Sequence, residues 1–375
     1  MLGREIGRAA ASGLLASCIL ASGAWAQPKV LPAPLAGEGL TAAETVVIGR
    51  AVRTAQGWSH QWPGVYFEAA FEGPRIFFDI GPGDRIVRVT VDGEPAAHLT
   101  KPSGRYRVDG LGEGPHVVRV EIVTESQAAP NQFGGFFLDG EGRAAAAPRP
   151  GRQIEFIGDS HTVGFGNTSA TRDCTKDEVW ATTDTSQAYG PMVARHFKAD
   201  YQVNAISGRG VVRNYAGRPG RTLPQAYPHA LLETTDAYDG QGWRPDLIVI
   251  ALGTNDFSTA LAPGEPWADR AALQADFVKT YVAFMRDLRR LNPQARFVLW
   301  AADVAEGEVQ AQVEKVVRKL QEDGETRLSY VAVNKLAMSG CAWHPSLEDD
   351  RIIAEAIIKA VDAQPHVFSH RRSGG

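Results

Sequence analysis

The sequence predicts an α/β protein in which an all-β sandwich precedes a parallel sheet flanked by helices. Three observations carry this reading. Residues 45–138 fall into short strand-like runs punctuated by turn signals, residues 140–151 lose all apolar periodicity, and from Arg152 onward strand-like and helix-like segments alternate. A chain of 375 residues is too long for one ordinary core and suits two domains.

Residues 1–26 are expected to be a secretory signal peptide. Arg4 and Arg8 precede an apolar, small-residue stretch over 9–24, and Ala24-Trp25-Ala26 supplies the small residues of a cleavage site before Gln27. The stretch is too short to span a bilayer, so no transmembrane segment is expected and the chain reads as secreted or periplasmic. Leu15-Ala16-Ser17-Cys18 resembles a bacterial lipoprotein cleavage box and stands as the alternative. Cleavage after Ala26 removes Cys18 and leaves Cys174 and Cys341, and an exported chain with two cysteines is expected to join them.

Residues 27–139 are assigned to the sandwich. Val46-Val47-Ile48, Val65 to Ala69, Arg75 to Asp79, Arg85 to Val91 and His116 to Val123 are rich in β-branched and aromatic residues. Glu72-Gly73-Pro74, Asp92-Gly93 and Glu113-Gly114-Pro115 mark the turns between them. Residues 140–151, with two prolines and a run of alanines, read as a linker. Residues 152–375 form the second domain. Strands are expected over 154–157, 201–206, 246–252, 296–300 and 328–333, and helices over 189–197, 268–291, 308–321 and 347–363. The run Asp246 to Leu252 is almost wholly apolar, as a strand buried on both faces requires. Strands alternating with helices imply a parallel sheet with helices on both sides.

In such a sheet, ligands bind where the strands end. Ser160 follows the first strand across Gly158-Asp159, Gly208 follows the strand ending near Ile206, and Asn255 follows the one ending at Leu252. His344 lies just before the last helix. Singly, each of these reads as a turn or cap residue. Together they are the parts of a hydrolase: a serine hydroxyl to attack an acyl carbon, a histidine to take and return its proton, and N–H donors for the oxyanion. No Cys/His set has zinc spacing and no glycine loop is built to cradle phosphate, so neither metal nor other cofactor is expected. A net charge of −4 without a long basic run gives nucleic acid no electrostatic footing. Nothing in the sequence specifies an oligomer.

Ile157-Gly158-Asp159-Ser160-His161 resembles the first block of the SGNH (GDSL-like) hydrolases, with His161 where leucine is usual. Ile206-Ser207-Gly208 resembles the second block, Gly253-Thr254-Asn255-Asp256 the third and Trp343-His344-Pro345 the last. The β-rich first third, Asp184 to Gly190 and Gly340 to Pro345 narrow the resemblance to carbohydrate esterase family 2. Members of that family place a jelly-roll sandwich before the SGNH domain and remove acetyl groups from polysaccharides of the xylan and glucomannan type. The resemblance implies Ser160 as nucleophile, His344 as general base and acid, and Ser160, Gly208 and Asn255 as the oxyanion hole. Gly210 is the second choice for Gly208, and Asp159 is assigned to holding the turn. Trp343 is the tryptophan expected to bind substrate. The carboxylate that usually orients the histidine is missing, since Cys341 and Ala342 occupy its positions. The resemblance therefore implies a Ser-His dyad with a main-chain carbonyl on the imidazole. Asp303, Glu348, Asp349 and Asp350 are the remote alternatives, and a Cys174–Cys341 bridge is expected to steady the histidine loop. The expected partner is an acetylated polysaccharide or oligosaccharide. A lipid esterase or thioesterase, or a non-catalytic carbohydrate-binding protein, are the competing readings.

Overall fold

The computed structural model describes residues 27–34, 39–147, 149–232, 234–240, 242–364 and 366–368. The expected signal peptide, 1–26, with Cys18 and the alternative cleavage box, lies outside the described residues.

The first domain is a sandwich of two antiparallel sheets. One runs Lys29–Ala33, Gly104–Asp109, Ile76–Ile80, Asn131–Leu138, Gly57–His60 and Ala51–Thr54, with Thr41–Ala43 also paired to Asn131–Leu138. The other runs Arg143–Ala145, Tyr66–Glu72, Pro115–Ile122, Ile86–Val91 and Glu94–Thr100, with Val46–Ile48 also paired to Tyr66–Glu72. Alternate residues turn inward, as the two-residue period of a strand dictates. Val89, Val118 and Val120 of one sheet share a buried core with Phe78 and Phe136 of the other. Phe67 stacks on Phe133 across the sandwich, with ring centroids 4.0 Å apart. The segment 140–151, expected as a linker, is not free chain: Arg143–Ala145 adds a strand to the sandwich along Tyr66–Glu72. Its small residues tolerate that edge position because only one neighbour and little side-chain packing are required there.

The second domain holds five parallel strands in the order Asp200–Ala205, Gln153–Gly158, Leu247–Ala251, Arg296–Ala302 and Leu328–Val333. Along each of the central strands, neighbouring residues go to opposite faces. Ile154 and Phe156, Leu247 and Val249, and Val298 and Trp300 face the helices Tyr189–His196 and Leu347–Asp362. Ile157, Ile248 and Ile250, and Phe297 and Leu299 face Arg270–Leu291 and Glu308–Glu322. The long helix begins where Asp269 accepts the Ala272 N–H at 2.8 Å and ends at Asn292-Pro293. The last helix opens with a capping box between Ser346 and Asp349. Among the described residues no helix is long and apolar enough to cross a membrane.

Candidate active site

Strand register brings the first three motifs together. Gly158 stands opposite Ala205 on one side and Ala251 on the other. The chain therefore leaves three adjacent strands at one level, and the next residues carry Ser160, Gly208 and Asn255. Ser160 opens the single turn Ser160–Val163, whose N-cap Asp159 accepts the His161 N–H. Asn255 sits in the turn Thr254–Phe257. His344 arrives from beyond the far strand, on a loop moored to the segment after Ser160. Cys341 N–H donates to Gly166 O (3.2 Å), Ala342 N–H to Arg172 O (2.7 Å) and Leu347 N–H to Asn167 O (3.1 Å). The expected disulfide between Cys174 and Cys341 joins the same two segments.

His344 Nε2 lies 2.9 Å from Ser160 Oγ. Its Nδ1 faces two acceptors, the carbonyls of Cys341 at 2.9 Å and Ala342 at 3.1 Å. Facing only acceptors, Nδ1 carries the proton, which leaves Nε2 able to take one from the hydroxyl. None of the four remote carboxylates bonds the ring. Asp350 accepts from Asn167 Nδ2 and Tyr189 N–H, Asp349 from Ser346 and Ala337 N–H, Asp303 from Lys335 N–H, and Glu348 pairs with Arg351. Burial holds the His344 pKa below the ordinary histidine value, against the pull of the two carbonyls. His161, whose ring centroid is 5.5 Å from that of His344, is pushed down to about 3, first by burial and then by His344. It is neutral and adds no charge to the base.

The backbone N–H groups of Ser160 and Gly208 have no protein acceptor among the described residues. Gly208 takes φ +82°, a left-handed conformation that costs glycine little. Gly210, the second choice, donates its N–H to Asn214 Oδ1. Asn255 Nδ2 donates to Asp159 Oδ2 at 3.1 Å and to Arg209 O at 2.9 Å, so both its protons are engaged in the free protein. Asp159 thus holds Asn255 as well as the turn. Its carboxyl is pushed up to about 7, chiefly by burial.

Ser160, Gly208, Asn255 and His344 line a cavity of about 440 Å³. Its other walls include Gln127, Phe165, Tyr215 and Arg218, which sequence reasoning missed. Phe165 packs on the His344 ring with centroids 4.4 Å apart. Trp343, expected to bind substrate here, does not line this cavity. Left-handed backbone at Ala342 and Trp343 (φ 49° and 62°) turns the indole outward, where it is 67% exposed with the Arg172 guanidinium 3.9 Å over the ring. Ala342 takes its place in the wall.

Residues 47–148 match the family model described as Carbohydrate esterase 2 N-terminal, and residues 156–353 that of the GDSL-like Lipase/Acylhydrolase family. An acetylxylan esterase / glucomannan deacetylase of Cellvibrio japonicus is 41% identical over 348 residues, 92% of this chain and 95% of that protein. The chain belongs to carbohydrate esterase family 2. It is a carboxylic ester hydrolase with the SGNH fold. A solved carbohydrate esterase, whose active site is described as displaying divergent catalytic and non-catalytic binding functions, superposes on this family-2 esterase with a TM-score of 0.83. The two are 39% identical, over 87% of this chain and 99% of that one. A family two carbohydrate esterase from Clostridium thermocellum, solved in complex with cellohexaose, gives a TM-score of 0.75 at 28% identity over 85% and 98%.

Proposed function

We propose that this family-2 esterase removes acetyl groups from polysaccharides of the xylan and glucomannan type through a serine acyl-enzyme. The relative from Cellvibrio japonicus bears the name acetylxylan esterase / glucomannan deacetylase. The observation that carries the reading is the pairing of Ser160 Oγ with His344 Nε2 while Nδ1 is held by main-chain carbonyls.

In the first step Ser160 Oγ attacks the acetyl carbon and His344 Nε2 takes the hydroxyl proton. The oxyanion receives the N–H groups of Ser160 and Gly208, and Asn255 joins when its whole side-chain amide shifts, giving up its bond to the Arg209 carbonyl for one to the substrate. His344 returns its proton to the sugar oxygen as the ester bond breaks. Water then attacks the acetyl-serine with His344 again as base, releasing acetate and restoring Ser160. Losing one oxyanion donor costs about 10²–10³ in rate, so Asn255→Ala is expected to fall in that range.

The cavity favours a short acyl group on a polar alcohol. Gln127, Asn214 and Arg218 are part of its wall and give a polar alcohol hydrogen-bonding partners. We also propose export, from the sequence of residues 1–26. N-terminal sequencing of protein recovered outside the cytoplasm is expected to begin at Gln27, whereas a lipidated Cys18 would support the anchored alternative.

The test is acetate release from acetylated xylan and glucomannan. Ser160→Ala and His344→Ala are expected to lower it by about 10⁴-fold or more. Undiminished release by Ser160→Ala would overturn the mechanism. A preference for p-nitrophenyl octanoate over the acetate would overturn the choice of acyl group.

A further inference from the structure

The described residues lining the catalytic cavity include two arginines, Arg209 and Arg218, and no aspartate or glutamate. This holds in a chain of net charge −4. Both arginines stand on the loop after Gly208, which is held rigidly from below. Asp256 accepts the N–H groups of Val211 (3.0 Å), Val212 (2.9 Å) and Arg213 (2.9 Å). Arg213, 1% exposed at its side chain, pairs with Glu265 through two nitrogens at 2.5 and 2.8 Å. Asn214 Nδ2 donates to the carbonyls of Arg218 (3.2 Å) and Gly220 (3.1 Å).

The guanidinium of Arg218 is therefore presented from a fixed backbone. It is exposed, no carboxylate among the described residues pairs with it, and its one ring contact is Tyr215 at 5.6 Å. Tyr215 is itself 42% exposed at the same wall. A neutral acetylated glycan offers that guanidinium hydroxyl and carbonyl oxygens but no opposite charge. A planar guanidinium matches a carboxylate with two parallel N–H bonds, and an exposed tyrosine ring beside it offers a face for a pyranose.

We propose that the cavity takes acetyl esters on glycans that also carry hexuronic acid, and that Arg218 recognises the uronate carboxylate. This deepens the esterase reading and rests on it. Hexuronates occur in plant glucuronoxylan and in bacterial exopolysaccharides, and the recognition chemistry is common to both.

The experiment compares kcat/KM for acetate release from acetylated glucuronoxylan with that from the same polymer after its uronates are reduced to neutral sugars. A uronate-bearing acetylated exopolysaccharide and its reduced form make a second pair, and whichever pair shows the larger ratio identifies the source. The full-length enzyme at low salt is expected to favour the carboxylated polymer about 5-fold, the scale of one partly exposed ion pair, with the preference shrinking as salt is raised. Arg218→Gln is expected to bring the ratio to unity, and Arg218→Lys to keep part of it. Melting temperatures matching the parent's establish that both variants are folded. Equal rates on both members of each pair, or a preference that survives Arg218→Gln, would overturn the uronate assignment while leaving the esterase reading intact. No release from any of the polymers would overturn the esterase reading, and this inference with it.

Discussion

At the scale of single residues, the unusual member of the site is a histidine whose Nδ1 meets two main-chain carbonyls instead of a carboxylate. Carbonyls fix the tautomer but stabilise imidazolium less than an anion does, and burial lowers the His344 pKa from its ordinary value near 6.5. A base works unprotonated, so lowering its pKa extends its working range downward. The acid limb of kcat/KM against pH is expected to have its midpoint below about 6.5. A midpoint above 7 would mean that an anion reaches the ring. Ala342→Asp probes the same balance. The position has φ 49°, which aspartate tolerates better than alanine, so the variant is expected to fold. A carboxylate beside Nδ1 favours imidazolium, and the acid limb is expected to move up in pH. That Ser160, Gly208, Asn255 and His344 meet in one cavity was legible in the sequence, because each lies in a short local motif and three of them follow a strand end. Gln127 and Arg218 were not, because they enter the cavity through tertiary contacts that no local spacing encodes. Trp343 was misplaced because adjacency along the chain says nothing about which way a left-handed turn aims a side chain.

At the scale of elements, the parallel strands could be read because Leu247–Ala251 and most of Arg296–Ala302 are apolar on both faces and the strands alternate with helices. Several sandwich strands could not. Asn131–Leu138 carries Gly134-Gly135 at a register shift, which breaks the alternation that identifies a strand. Glu94–Thr100 lies at a sheet edge and is largely exposed, so little in it is selected for apolar character. The loops near the site follow another logic, since His344 only caps the one-turn 3₁₀ helix Cys341–Trp343, between the last strand and the last helix. Its anchor is the Cys174–Cys341 bridge, which links residues 167 apart, together with the close seat of Gly166. Gly166 has φ +59°, and a Cβ there would overlap Cys341 Cβ and come within 2.8 Å of its sulfur. Gly166→Ala is therefore expected to displace the carbonyl that orients His344 and to lower kcat more than KM changes. Reduction, or Cys174→Ser, is expected to destabilise the fold by about 2–4 kcal/mol and to lower kcat as well. If reduction left both activity and melting temperature unchanged, the bridge would have no part in holding the loop.

At the scale of the whole molecule, the sandwich is a wall of the active site and not a detached module. Glu125 accepts the Ser207 N–H at 2.7 Å, and Gln127 donates to the Ser207 carbonyl at 3.1 Å, one residue before Gly208. Behind the cavity the two domains share buried charge. Arg50 of the sandwich is 1% exposed and lies 3.7 Å from Glu155, in the strand that leads to Ser160. It also donates to the carbonyls of Tyr227 and His229, and its guanidinium stands over the rings of Trp62, Tyr227 and Tyr238 at 4.9, 4.2 and 4.6 Å. Removing Arg50 leaves Glu155 with its hydrogen bonds from Asn204 and Tyr227 but without an opposite charge, and breaking a buried pair costs about 3–5 kcal/mol. Arg50→Ala is expected to lower the melting temperature by roughly 6–20 °C, given about 2–4 °C per kcal/mol for domains of this size. Because Glu155 lies in the strand that leads to Ser160, activity near the new transition is expected to be lost together with both domains' structure. Adding Glu155→Gln to Arg50→Ala removes the stranded charge and is expected to restore part of the stability. A double variant no more stable than Arg50→Ala would instead assign the cost to the guanidinium's packing on the three rings and its bonds to the two carbonyls.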